Sequence, residues 1–311
     1  MHPAPSLIVF TSLSGLGFGA LFWLGLGLRT PEYGNAFWFY LLAFVPAVAG
    51  LVASTFHLGH PERAWRAFSQ WRTSWLSREG VAALATLTVM GIFAIGQVFF
   101  GVTLWPLGWL GAILCLVTIH CTAMIYASLK AVPRWNAWST PLLLHTSALA
   151  GGALLAGLPV VAFVLLALLL PVQLYAFLRG DTALEASGTT LETATGLGTI
   201  GPKRRSKVRL FEPPHTGDNY LLREMVFNVG RRHRARLRLL ALALAGAGPA
   251  LVLLLGLIFG AEAWIVLPAL AVHLIGLLAG RWLFYAEAEH VVGLYYGAHT
   301  DGPMRPSPVR V

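Results

Sequence analysis

The sequence predicts an all-α integral membrane protein, a bundle of eight transmembrane helices with both termini on the cytoplasmic side. Three observations carry this. Of 311 residues, 57% are hydrophobic and 11% charged, with a mean hydropathy of +0.69; a soluble domain of this length needs far more charge to cover its surface. The apolar residues also fall into runs long enough for a hydrocarbon core of about 30 Å, which takes roughly 20 residues of helix. Finally, 21 of the 22 lysines and arginines lie on one side of the topology that those runs define.

The expected spans are residues 6–28, 36–56, 81–100, 107–129, 141–158, 159–178, 239–259 and 264–284. The fifth and sixth abut, yet 141–178 is too long for one crossing. Gly157-Leu158-Pro159 suits a tight reversal there, because proline ends the helix before it. Connectors 101–106 and 260–263 are equally short, so the third and fourth spans, and the seventh and eighth, read as antiparallel hairpins. Residues 1–5 carry no Lys or Arg and the first apolar run is too long for an h-region, so the start reads as a span and not as a secretory signal. Cys115 and Cys121 share one apolar run and read as small packing residues.

The charge split sets the orientation. With eight spans, the loops after the second, fourth and sixth share a side with both termini, and only Arg29 lies opposite. Positive charge marks the cytoplasmic face, so the net charge of +9 points to the anionic membrane surface and not to nucleic acid. The whole chain, 1–311, is then one polytopic domain with two cytoplasmic excursions, 58–80 and 179–238. Any large soluble partner docks on that side.

In the first excursion Pro61 suits the opening turn of a helix and Glu62 its positive end. Trp65, Phe68, Arg72 and Trp75 follow helical spacing, with Trp71 adding a ring, which predicts an interfacial helix with aromatics inward and Arg66 and Arg72 toward headgroups or a partner. The second excursion opens with a stretch, 180–201, rich in small and polar residues and expected to have little structure. Its Gly196-x-Gly198-x-x-Gly201 follows no strand and precedes Pro202, so a dinucleotide site is rejected. Asp218 is placed to cap a helix over 219–238, whose basic residues Arg231, Arg232 and Arg234 suit lipid phosphates or an acidic partner face.

Ionisable residues at span ends are costly and mark candidate sites. His57 closes the second span, and Arg78 and Glu79 open the third, at one boundary. An imidazole and a carboxylate exchange protons and a guanidinium polarises a carbonyl, a set that fits a quinone headgroup; interfacial anchoring is the alternative. Arg281, Glu287 and His290 form a second candidate cluster at the end of the last span. His120, His145 and His273 fall within spans; two facing histidines hold a haem b in cytochrome subunits, but no paired spacing marks these, so haem and metal ligation are not expected. A secondary transporter is the remaining alternative, though no pair of broken inverted-repeat helices is evident. Gly15-x-x-x-Gly19 reads as a small-residue helix contact.

Together, Phe56-His57-Leu58-Gly59-His60-Pro61-x-Arg63-Ala64 and Ser74-Trp75-Leu76-Ser77-Arg78-Glu79 resemble the dimethyl sulfoxide reductase anchor-subunit family. Further matches are His2-Pro3-Ala4-Pro5-Ser6, Asn219-Tyr220-Leu221 with Glu224-Met225, Arg281-Trp282-Leu283-Phe284-Tyr285-Ala286-Glu287, and His290-Val291-Val292. The resemblance implies a haem-free eight-helix subunit that anchors an iron–sulfur subunit and a molybdopterin catalytic subunit and exchanges electrons with ubiquinone or menaquinone. It ties His57, Arg63 and Glu79 to quinol binding. Within the family, His2–Ser6 with Ser14-Gly15-Leu16-Gly17-Phe18-Gly19 is most similar to membrane subunits of cytoplasmic sulfite dehydrogenases. That implies electrons passing from sulfite to quinone across the bacterial inner membrane's cytoplasmic face, with dimethyl sulfoxide reduction by menaquinol as the alternative.

Overall fold

The computed structural model describes residues 1–197 and 233–296, with 199–200, 204–205, 208, 211 and 225 between them. Its long helices are α1 (Pro5–Leu26), α2 (Tyr33–Thr55), α3 (Trp75–Phe100), α4 (Trp105–Ala127), α5 (Ser139–Leu155), α6 (Pro159–Asp181), α7 (Arg234–Phe259) and α8 (Glu262–Ala286). Among the described residues seven of them, all but α5, are long and apolar enough to cross a membrane. The 17 residues of α5 make about 25 Å of helix, packed between α1 and α6. The expected 157–159 reversal is present: Gly157 takes φ +69°, and Pro159 opens α6.

The axis of the bundle is α1, which buries fourteen residues where the peripheral α2 buries five. Missing side chains make this possible. Gly17 lies against Ala43 and Ala47 of α2, Gly25 against Gly108 of α4, and Gly19 against Ala148 and Gly152 of α5. The Gly15/Gly19 pair is thus a helix contact, as expected. Helix α7 contains a π turn at Ala243–Ala247. Pro249 has no N–H to offer the Ala245 carbonyl one turn back, and His273 Nδ1 of α8 donates to it instead, at 2.6 Å.

One end of the bundle gathers the long connectors. Met1 N donates to the Ala288 carbonyl at 2.6 Å, Trp135 Nε1 to Phe284 at 2.9 Å, and the hydroxyls of Tyr126 and Tyr285 pair at 2.7 Å. The chain's start, the α4–α5 connector and the end of α8 therefore meet there.

Several boundaries and connectors differ from expectation. Helix α3 begins at Trp75, six residues before the expected 81, because Ser74 supplies an extended residue ahead of it; Arg78 and Glu79 are already helical. The 58–80 excursion forms a 3₁₀ helix, Pro61–Phe68, with Glu62 in its first turn. Stretch 180–201 is more ordered than its composition suggested, with short helices at Ala183–Ala186 and Leu191–Thr195. A reciprocal cap between Thr190 and Thr193 opens the second, and Tyr295 OH donates to the Ala194 carbonyl. The rejected glycine motif at Gly198 and Gly201, the basic run 203–209 apart from residues 204, 205 and 208, the cap at Asp218 and most of the helix expected over 219–238 lie outside the described residues; from Arg234 onward that helix is present.

Candidate functional site

The end of α2, the 3₁₀ connector and the start of α3 enclose a cleft of about 760 Å³, within the usual range for small-molecule sites of roughly 300–1,000 Å³. Its walls are largely apolar, with Trp65, Phe68, Leu84 and Leu87 among them, and its polar groups include His57, Arg63 and Glu79. The helical phase sets Glu79 apart from Arg78. One residue advances the helix by about 100°, so Glu79 turns inward against α4 and Arg78 turns toward the connector. Arg78 donates to the carbonyls of Trp71 (3.0 Å) and Arg72 (2.7 Å) and lies 4.3 Å over the Trp75 ring. It staples the connector to α3 and does not line the cleft.

Glu79 is 4% exposed and accepts a short hydrogen bond from the Thr122 hydroxyl of α4. Sequence reasoning missed Thr122, since nothing local distinguishes it from the other helix threonines. His57 and Arg63 are exposed at the rim. Arg63 Nε stands 3.9 Å from Glu62, whose carboxylate also meets His60 at 2.9 Å. The cleft therefore joins a buried carboxylate, a rim imidazole and a rim guanidinium around an apolar interior. That set suits a lipophilic ligand with a polar head that gains and loses protons.

The second cluster is arranged differently, and none of it lines the cleft. Arg281 is 4% exposed and donates to Ser147 Oγ at 2.6 Å. Glu287 is closed into ion pairs with Arg134 (3.1 Å) and Arg238 (2.7 Å), while Asp181 takes Arg134 (3.0 Å), Arg238 (2.6 Å) and Arg234 (3.4 Å). This network binds α6, α7, α8 and the α4–α5 connector into one end plate; Asp181 and Glu287, acids at span ends beside arginines, were its sequence signal. His290 Nδ1 accepts from Val292 N at 3.0 Å. Of the docking candidates, Arg66 and Arg72 are exposed, each 5.6 Å over its neighbouring tryptophan ring, and Arg234 is half-exposed. Arg231 and Arg232 lie outside the described residues. The structure also sets His120 and His145 side by side, ring centres 5.6 Å apart, with His145 Nδ1 2.7 Å from the Pro141 carbonyl. Among the described residues no three His, Cys, Asp or Glu side chains form a metal-binding group.

A multi-pass helical bundle with its charge and its cleft at one end is the form of a membrane anchor subunit. Residues 1–195 match the model of the DMSO reductase anchor subunit (DmsC) family, and the chain belongs to that family. A curated relative, one of the subunits of the sulfite dehydrogenase of Allochromatium vinosum, is 34% identical over 95% of this chain and 99% of its own. No solved structure matches the chain. The protein is accordingly a membrane subunit of an oxidoreductase complex.

Proposed function

We propose that this subunit is the quinone-reactive anchor of a molybdopterin oxidoreductase and passes electrons from sulfite oxidation to the quinone pool. The observation that carries the reading is the convergence of His57, Arg63 and Glu79 on one apolar cleft. Quinone takes up two electrons and two protons to become quinol. Arg63 polarises a carbonyl, and Glu79 and His57 hand over the protons. The electrons come from an iron–sulfur partner docked on the connector end with the molybdopterin catalytic subunit, through Arg66, Arg72 and the basic start of α7. The chain itself carries no haem. The relative's name supports sulfite as donor; dimethyl sulfoxide reduction would run the same cleft in reverse, oxidising menaquinol.

In this reading α5 also crosses the bilayer, making eight spans, and the connector end with both termini faces the cytoplasm of a bacterial inner membrane. Electrons and protons then enter from the same side, so turnover moves no net charge.

His57→Ala or Glu79→Gln should abolish quinone-coupled turnover, while sulfite oxidation with a soluble artificial acceptor survives and the partners stay on the membrane. Wild-type quinone kinetics in both assembled variants would reduce these residues to interfacial anchors.

A further inference from the structure

Glu79 poses a delivery problem. It is 4% exposed even though it lines the cleft, and a lipophilic ligand seated there closes the side from which water reaches it. Behind it, on the side away from the cleft, lies a line of polar groups. Thr122, whose hydroxyl donates to Glu79, also lines a small cavity of about 10 Å³, shared with Thr11, Ser14 and Arg281. That is the size of about one water. Arg281 borders a second cavity of about 50 Å³, with Ser139, Thr140, Ser147 and Gln173, that ends at Arg134 and Glu287. It has room for about three or four waters. From there the ion pairs of the end plate lead to Asp181, which is 28% exposed.

Arg281 stands between the two cavities and its hydrogen bonding is incomplete. Its Nη2 reaches Ser147, its Nε has no partner among the described residues, and it forms no ion pair with a carboxylate there. A buried guanidinium left in that state is costly unless water completes it, and the cavities on both sides, mostly apolar but each with hydroxyl-bearing residues in its walls, have room for that water.

We propose that Thr122, Arg281 and the water of these two cavities form a proton route from the end plate to the back of Glu79. The inference rests on the cleft reading above and deepens it. In each turnover, quinone receives two electrons from the iron–sulfur partner and two protons. One proton comes through His57 at the solvent-exposed rim; the other leaves the Glu79 carboxyl for a quinone oxygen. Glu79 is then reloaded: Thr122 gives its hydroxyl proton to the carboxylate and takes one from the cavity water, which is replenished from the end plate. The guanidinium opposes an excess proton at rest, and the ionised carboxylate beyond it offsets that opposition, so the route loads only when Glu79 has discharged. Thr122 and Arg281 are positioning residues here; neither touches quinone.

The test uses the assembled complex with a short-chain ubiquinone, each variant first checked for artificial-acceptor activity. Thr122→Val keeps the shape and removes the hydroxyl; it should lower kcat about tenfold or more with little change in KM, and enlarge the solvent deuterium isotope effect. Thr122→Ser should restore both. Arg281→Met should lower kcat similarly. Should valine prevent assembly, Thr122→Ala, which only deletes atoms, takes its place, with serine again the restoring variant. Wild-type kcat and isotope effect in the hydroxyl-free variants, beside an inactive Glu79→Gln, overturn the route and leave the cleft reading intact. A fully active Glu79→Gln overturns the cleft reading itself.

Discussion

Replacing Gly152 by alanine adds one methyl at one of the closest backbone seams in the bundle. The new Cβ would stand 2.6 Å from Gly19 Cα, and nearer still to the Gly19 carbonyl carbon and the Ala20 nitrogen. All three are backbone atoms, so no side chain can swing aside. To reach ordinary contact, α1 and α5 must part by about 1 Å, and a gap of that size forfeits roughly a quarter to a half of each dispersion contact along the seam. Added to the usual overpacking cost of about 1–3 kcal/mol, this puts Gly152→Ala near 3 kcal/mol, or roughly a hundredfold in the folding equilibrium. Gly15 is the control. It lies on the same face of α1 toward the same helix, but its Cβ would meet Ala148 Cβ at an ordinary 3.4 Å, so Gly15→Ala should cost under about 1 kcal/mol. Denaturation by sodium dodecyl sulfate, followed by tryptophan fluorescence, reads both; Trp23 reports on the seam directly, since its Nε1 donates to the Leu149 carbonyl at 2.9 Å. Equal stability of the two variants would refute the packing argument.

Two further outcomes are expected. Alkaline phosphatase fused after Thr199 should be inactive and a fusion near Gly260 active; the reverse pattern would invert the orientation and move the docking face to the other side. The purified protein should show no b-type absorbance in reduced-minus-oxidised spectra; a stoichiometric signal lost on replacing His120, His145 or His273 would make it a cytochrome.

The helices were legible because burial in lipid imposes length and hydropathy on a segment without help from its neighbours. Among the described residues seven apolar runs correspond to candidate spans, and α5 differs in being only 17 residues long. What the sequence left open were quantities of phase and distance. Arg78 and Glu79 are adjacent and read as one site, yet the start of α3 at Trp75 sends one to the connector carbonyls and the other to Thr122. Glu287 and Arg281 read as cluster mates; burial gave the first two arginine partners and the second a serine. His120 and His145 carry no shared spacing because their meeting is a matter of how α4 packs on α5. Of the polar groups that line the cleft, His57 and Glu79 were marked by their places at span ends, whereas Arg63, on an exposed connector, entered only through the family resemblance.

The glycine faces of α1 also govern the order in which the bundle can be assembled. A helix lined with glycine on several sides has little to gain from lipid along those sides, and its gain comes only when another backbone closes in. The α2 hairpin can cover the Gly17 face as soon as it is inserted, but the Gly19 face waits for α5, which follows after two further helices have been made. Until then α1 has an unfilled groove, and Thr11 and Ser14 lack the α5 and α8 residues, Ala148 and Arg281 among them, that close the small cavity beside them. The small cavity behind Glu79 therefore closes last, with Arg281 of α8, whereas the cleft itself is lined only by residues of α2, the connector and α3.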